Sequence, residues 1–333
     1  MLPALAQFLL AAALIIVGGV GLSRSADVIS RRYGLGHLLG GALLIATATS
    51  LPDLVMGLAA ARAGFADLVV GDLFGAALFN MLVLAVMDLL HAARGRMLSQ
   101  AAAAHALSGT MSMSLLAVAG IGVVLPREMN GTLAGIGVGI WGVVTAYVLG
   151  IRVVFFDQQY VARKEAASGS KPPPHDDWKP GWAIGIYIIS AALILFAGPR
   201  LAHAAEALAE ASGLGRTFVG TALLPITTTL PELVAAITAL RIRAFDLIVG
   251  NAFGSIAFNL FLLAPIDMVY DGSLLADASP THVVTSLAAI VTVAIAIMGQ
   301  LTHAEQRKRV LEPDAALVIG VIFGALALIY LLR

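Results

Sequence analysis

The chain has 333 residues, 59% of them hydrophobic and only 12% charged, with a mean hydropathy of +0.94. Twenty basic residues balance twenty acidic ones, and cysteine is absent. These figures exclude a soluble globular domain, leave no cationic footprint for nucleic acid, and rule out disulfide or thiolate chemistry.

Apolar runs of about 18–25 residues, separated by short polar loops, define an all-α polytopic membrane protein. Ten spans are predicted in chain order, at about 4–22, 36–62, 66–90, 102–125, 131–151, 181–211, 215–241, 245–270, 281–301 and 313–332. The first run, Leu5 to Leu22, lacks a basic leader and reads as a membrane helix rather than a cleaved signal. Pro199 is expected to kink or end the membrane part of the sixth span. Segment 152–180, with Arg163, Lys164, Pro172-Pro173-Pro174 and Asp176-Asp177, is a hydrophilic linker too short for a domain. It separates a first five-helix half, residues 1–151, from a second, residues 181–333. Placing the N-terminus outside leaves five basic residues on the outer side (Arg62, Arg127, Arg200, Arg216, Arg333) and the other fifteen of the twenty inside. That bias puts the linker in the cytoplasm of a cell (plasma or inner) membrane.

The halves are related. Residues 34–88, shifted by 179, lie on 213–267 without a gap, and 23 of the 55 positions are identical. Asp53 meets Glu232, Phe74-Gly75 meets Phe253-Gly254, and Phe79-Asn80 meets Phe258-Asn259. With five spans per half, an odd number, the second copy enters the membrane inverted. Inverted repeats of this kind build secondary transporters, with the substrate site near the midplane.

Each copy carries one acid deep in its apolar run: Thr49-Ser50-Leu51-Pro52-Asp53 and Thr228-Thr229-Leu230-Pro231-Glu232. An Asp at the centre of a membrane helix costs about 2.5–3.5 kcal/mol on insertion, so two such charges need a purpose. On a continuous helix Thr49 and Asp53 share a face at i and i+4, as do Thr228 and Glu232. Pro52 and Pro231 cannot donate a backbone bond, which is expected to free carbonyls around Thr47–Thr49 and Thr227–Thr228. Carboxylates, hydroxyls and carbonyls form an all-oxygen set suited to a hard ion such as Ca²⁺ or Na⁺. A plain structural role as mutually paired polar groups leaves the recurrence in both copies unexplained.

These stretches, with Val70-Gly71-Asp72-Leu73-Phe74-Gly75 to Asn80 and Val249-Gly250-Asn251-Ala252-Phe253-Gly254 to Asn259, resemble the α-repeats of the sodium/calcium exchanger family, within the cation/calcium antiporter superfamily. The resemblance implies Asp53 and Glu232 as the central Ca²⁺ ligands. It implies further ligands at Thr49 and Thr228, and neighbouring hydroxyls at Ser50 and Thr229. Asn80 and Asn259, each 27 residues after its acid, would close the site. Ser255 and the backbone carbonyls of Ala46 and Pro225 would hold Na⁺. The first and sixth spans would slide to alternate access. The expected activity is exchange of Ca²⁺ for Na⁺ by a chain that is not an enzyme, uses neither ATP nor a cofactor, and sits in the bilayer as a monomer.

The chain departs from the family at several positions. Asp53 is a methylene shorter than the commoner Glu, and both 27-later positions are Asn, which argues against K⁺ co-transport. The first copy has Ala76 where the second has Ser255, so a Na⁺ ligand is missing and a Ca²⁺/H⁺ antiporter is the runner-up. Asp72 stands where its repeat mate is Asn251 and is expected to line an outer vestibule, gathering cations, or to make a helix–helix hydrogen bond. The linker has no room for the regulatory domains of animal exchangers. Two other classes are a cation channel and an intramembrane aspartyl protease using Asp53 and Asp72. The latter lacks its Gly-x-Gly-Asp signature, because residue 69 is Val.

Three secondary features complete the reading. Asp67 and Asp246 are expected to cap their helices. Gly71, Gly75, Gly250 and Gly254 are expected to let helices pack closely. Asp88 and Asp267 recur at helix C-terminal ends, where the dipole disfavours an acid.

Overall fold

The computed structural model describes residues 2–33, 40–91, 102–126, 128–129, 131–167, 178–211, 228–301 and 313–331. Among them eight helices are long and apolar enough to cross a membrane, and a bent pair makes a ninth. The predicted seventh span lies partly on residues 212–227, outside the described residues.

The chain divides into two compact units that cut across the sequence halves: Met1–Pro52 with Val153–Gly254, and Asp53–Arg152 with Ser255–Arg333. The boundary in each copy falls within the motifs, between Pro52 and Asp53 and between Gly254 and Ser255.

In the first unit, α1 (Leu2–Arg32) runs well beyond the predicted end at residue 22. It packs along α8 (Pro180–Ala211), which continues through Pro199 rather than ending there. Gly18 makes this approach possible, since a Cβ there would stand 2.9 Å from Ile194 Cγ1. Ala11, Ile15, Ala197 and Leu201 form the buried seam between the two helices. On another side α1 meets α9 (Leu230–Arg241), where Ser23 Oγ donates to the Ala235 carbonyl at 2.8 Å.

The second predicted span is not one helix. It opens as a π-helical turn, α2 (Gly40–Ile45), continues as α3 (Ala46–Thr49), breaks at Ser50, and resumes as α4 (Leu51–Arg62) at an angle of 44°. Tight packing shapes the π turn. A Cβ on Gly254 of α10 (Phe245–Asp267) would collide with the Ala42 backbone. Gly71 likewise faces a neighbour, as a Cβ there would stand 2.9 Å from His282 Cε1, but Gly75 has nothing within 4 Å and does not serve close packing.

The second unit gathers α5 (Ala66–His91), α6 (Ala102–Val124), the short hairpin β1 (Thr132–Leu133) and β2 (Ile136–Gly137), and the first half of α7 (Val138–Ala167). It also holds α11 (Leu274–Asp277), α12 (His282–Leu301) and α13 (Pro313–Leu331). Ser286 Oγ ties α12 to the Leu116 carbonyl of α6 at 2.8 Å, and Tyr147 stacks on Phe261. Asp67 does not cap its own helix in these contacts. Its carboxylate accepts from Ser279 N at 2.6 Å and faces His282 Nε2 at 3.1 Å. Asp267 escapes the unfavourable dipole by accepting from Gly137 N at 2.6 Å and Leu274 N at 2.7 Å.

Candidate functional site

Both motif acids are almost fully buried, Asp53 and Glu232 each at 1% exposure. The prolines place them. Pro52 and Pro231 are the second residues of α4 and α9, where a helix has no use for the missing N–H. The two helices therefore begin within the apolar region, and Asp53 and Glu232 each fall in a first turn. There the unpaired N–H groups and the positive end of the helix dipole favour an anion, which offsets part of the cost of burial.

In the second unit, Asn259 Nδ2 donates to Asp53 Oδ2 at 3.0 Å, joining α10 to the start of α4. Asn259 Oδ1 is buried without a hydrogen-bond partner, and so is Ser255 Oγ one turn earlier on the same helix. Asn80 on α5 is 1% exposed, and neither its amide oxygen nor its nitrogen has a partner. Ala76, on the same face of α5, is fully buried and offers no oxygen where Ser255 does. Asp72, a further turn back on that face, is partly buried with Oδ1 unpartnered.

In the first unit, Thr49 is fully buried, and its hydroxyl donates to the carbonyls of Ile45 at 3.1 Å and Ala46 at 3.3 Å. The break at Ser50 sets Thr49 at the end of the short α3 and Asp53 in the first turn of α4, so the two residues do not share one continuous helix. The Ala46 carbonyl also accepts from Ser50 N at 3.0 Å. Ser50 Oγ is buried and unpartnered. Thr228 and Thr229 are buried beside the start of α9, at 3% and 5% exposure. Pro225 lies outside the described residues. Sequence reasoning missed Tyr187 of α8, whose hydroxyl donates to the Leu44 carbonyl of the π turn at 2.8 Å. A contact across 143 residues leaves no local signal in the sequence.

Buried polar atoms without partners are uncommon in folded chains and ask for an occupant. Among the described residues, Ser50, Asn80, Ser255 and Asn259 of the motifs carry such atoms, and each of these side chains offers an oxygen.

The model of the family described as "Sodium/calcium exchanger protein" matches residues 3–150 and 182–333, and the chain belongs to that family. CaxA of Alkalimonas amylolytica, whose name carries the word antiporter, is 25% identical over 274 residues, covering 78% of this chain and 81% of the relative. The inner membrane protein YrbG of Escherichia coli K12 is 26% identical over 269 residues, covering 77% and 78%. Among solved structures, the sodium-calcium exchanger NCX_Mj soaked with Na⁺ and Sr²⁺ superposes with a TM-score of 0.73 at 14% identity over 97% of both chains. The same exchanger at 10 mM Na⁺ without Ca²⁺ gives 0.71 at 16% identity. The chain has the fold of NCX_Mj and is an antiporter of the cation/calcium exchanger type, embedded in a membrane.

Proposed function

We propose that this chain exchanges Ca²⁺ for Na⁺ across a cell membrane, with Asp53 and Glu232 as the charged ligands of both ions. The observation that supports this most directly is the pair of carboxylates, each at 1% exposure in the first turn of a helix, accompanied by buried hydroxyls and amides. Two negative charges balance one Ca²⁺ or two Na⁺. Thr49, Ser50, Asn80 and Asn259 supply neutral oxygens, as do Thr228 and Thr229. Ser255 and the carbonyls of Ala46 and Pro225 serve Na⁺. The two cargoes exclude each other, and the emptied, doubly charged site is too costly to carry through an occluded state. Exchange is therefore obligatory. Helices α1 and α8, packed through small residues, move as one pair to alternate access.

Asp72 supports capture. It lies on the same α5 face as Asn80, eight residues back, or about 12 Å along the helix. With the N-terminus outside and the linker in the cytoplasm, that is the outward direction, and a carboxylate there with one oxygen unpartnered concentrates cations at the mouth.

One observation favours a second reading. Ala76 removes an oxygen that the second copy retains in Ser255, so a chain short of Na⁺ ligands fits a Ca²⁺/H⁺ antiporter. Reconstituted proteoliposomes separate the two. An outward Na⁺ gradient drives Ca²⁺ uptake in the first reading, whereas uptake driven only by an outward proton gradient moves the chain to the second.

A further inference from the structure

Three consecutive carbonyls at the junction of α2 and α3 each accept a hydrogen bond. Leu44 accepts from Tyr187 Oη of α8 at 2.8 Å, and Ile45 from the Thr49 hydroxyl at 3.1 Å. Ala46 accepts from that same hydroxyl at 3.3 Å and from Ser50 N at 3.0 Å. The donors to Ile45 and Ala46 are local, whereas Tyr187 is 143 residues from Leu44 in the chain. Its bond lies within one compact unit, to which α2, α3 and α8 all belong.

The passage from a π turn to an α-helix changes which N–H each carbonyl faces. At membrane depth no water makes good a backbone bond lost in that change. Packing alone does not fix the outcome. A Cβ on Gly41 would stand 2.5 Å from the Leu247 carbonyl oxygen and 2.7 Å from Asn251 N of α10. That contact is steric and sets how closely the turn approaches α10, while a hydrogen bond is directional and sets how the turn is rotated. Tyr187 supplies the directional contact. Leu44 precedes Ala46 by two residues, about 3 Å along the axis, so a rotation that breaks the Tyr187 bond also turns the Ala46 carbonyl.

We propose that Tyr187 is a positioning residue, whose hydroxyl fixes the rotation of the π turn and thereby sets the Ala46 carbonyl and the Thr49 hydroxyl to meet Na⁺. The assignment rests on the Ca²⁺/Na⁺ exchange proposed above, which makes those two groups ligands. Without the hydroxyl the turn spends part of its time rotated away, and the apparent affinity falls with the fraction that stays competent to bind. Saturating cation restores the bound geometry, so the maximal rate is kept.

Tyr187→Phe tests this, because it keeps the ring and removes only the hydroxyl. Hydrogen–deuterium exchange of the full chain in cation-free detergent solution should quicken roughly 2- to 10-fold over residues 40–50 and stay as in the wild type over α13. In proteoliposomes the Na⁺ concentration for half-maximal Ca²⁺ uptake should rise by a similar factor at an unchanged maximal rate. A merely structural role would lower the maximal rate, through lost folded protein, and leave the half-maximal concentration alone. That result, or unchanged exchange over residues 40–50, overturns the proposal. If the wild type itself takes up no Ca²⁺ in exchange for Na⁺, the exchange reading has failed separately, and the amide exchange alone decides whether Tyr187 fixes the turn.

Discussion

Asn80→Leu separates a binding residue from a packing residue. Leucine shares asparagine's branching at Cγ but is larger and apolar, and the native amide is 1% exposed with neither polar atom partnered. A buried polar group without a partner costs about 1–3 kcal/mol. Removing it should therefore stabilise the cation-free protein by up to that amount, less the cost of fitting the larger leucine side chain. The same change deletes an ion ligand. A contact to a charged group is worth about 1.5–3 kcal/mol, so Na⁺-displaceable Ca²⁺ binding should weaken roughly 10- to 150-fold. Asn259→Leu is the matched control. It removes the 3.0 Å donor to Asp53, so it should lower stability in the cation-free protein as well as weaken binding. Chemical unfolding in detergent without Ca²⁺, paired with Ca²⁺ titration in the presence and absence of Na⁺, reads both quantities. An Asn80→Leu protein that is less stable without cation and binds Ca²⁺ as before would refute the reasoning.

Other substitutions probe separate parts of the account. Ala76→Ser restores a hydroxyl at a fully buried position, and should lower the half-maximal Na⁺ concentration roughly 2- to 10-fold in Ca²⁺ uptake assays; an unchanged value counts against a Na⁺ role for this position. Gly254→Ala forces a methyl into the Ala42 backbone and should cost about 1–3 kcal/mol of stability, whereas Gly75→Ala, with nothing within 4 Å, should be tolerated. Equal effects in a thermal melt would contradict that packing. Asp72→Asn should raise the external Ca²⁺ concentration needed for half-maximal uptake and flatten its dependence on ionic strength. The vestibule role fails if both are unchanged.

The repeat was legible because identity at a fixed shift of 179 needs no knowledge of packing, and it located both acids. The break at Ser50 was not. Residues 36–62 read as one apolar run, whereas the π turn lies where Gly41 packs against the backbone of Leu247 and Asn251 and Ala42 against Gly254, contacts that a single run of sequence does not display. The prolines were visible as breakers, but their place as second residues of α4 and α9 depends on where the preceding turn stops. Asp88 and Asp267 look equivalent in sequence, yet one meets two backbone donors and the other a cavity, because the partners of Asp267 belong to β2 and α11. Asp67 was a plausible cap by position, and lost that role to a loop more than 200 residues away, at Ser279.

The central claim is that flux through Asp53 and Glu232 is obligatory exchange. Proteoliposomes loaded with Ca²⁺ should release it only when Na⁺, or for the proton-coupled reading H⁺, is supplied outside, and release should disappear in Asp53→Asn. Release into a medium lacking a counter-ion, or wild-type exchange in Asp53→Asn, would contradict it.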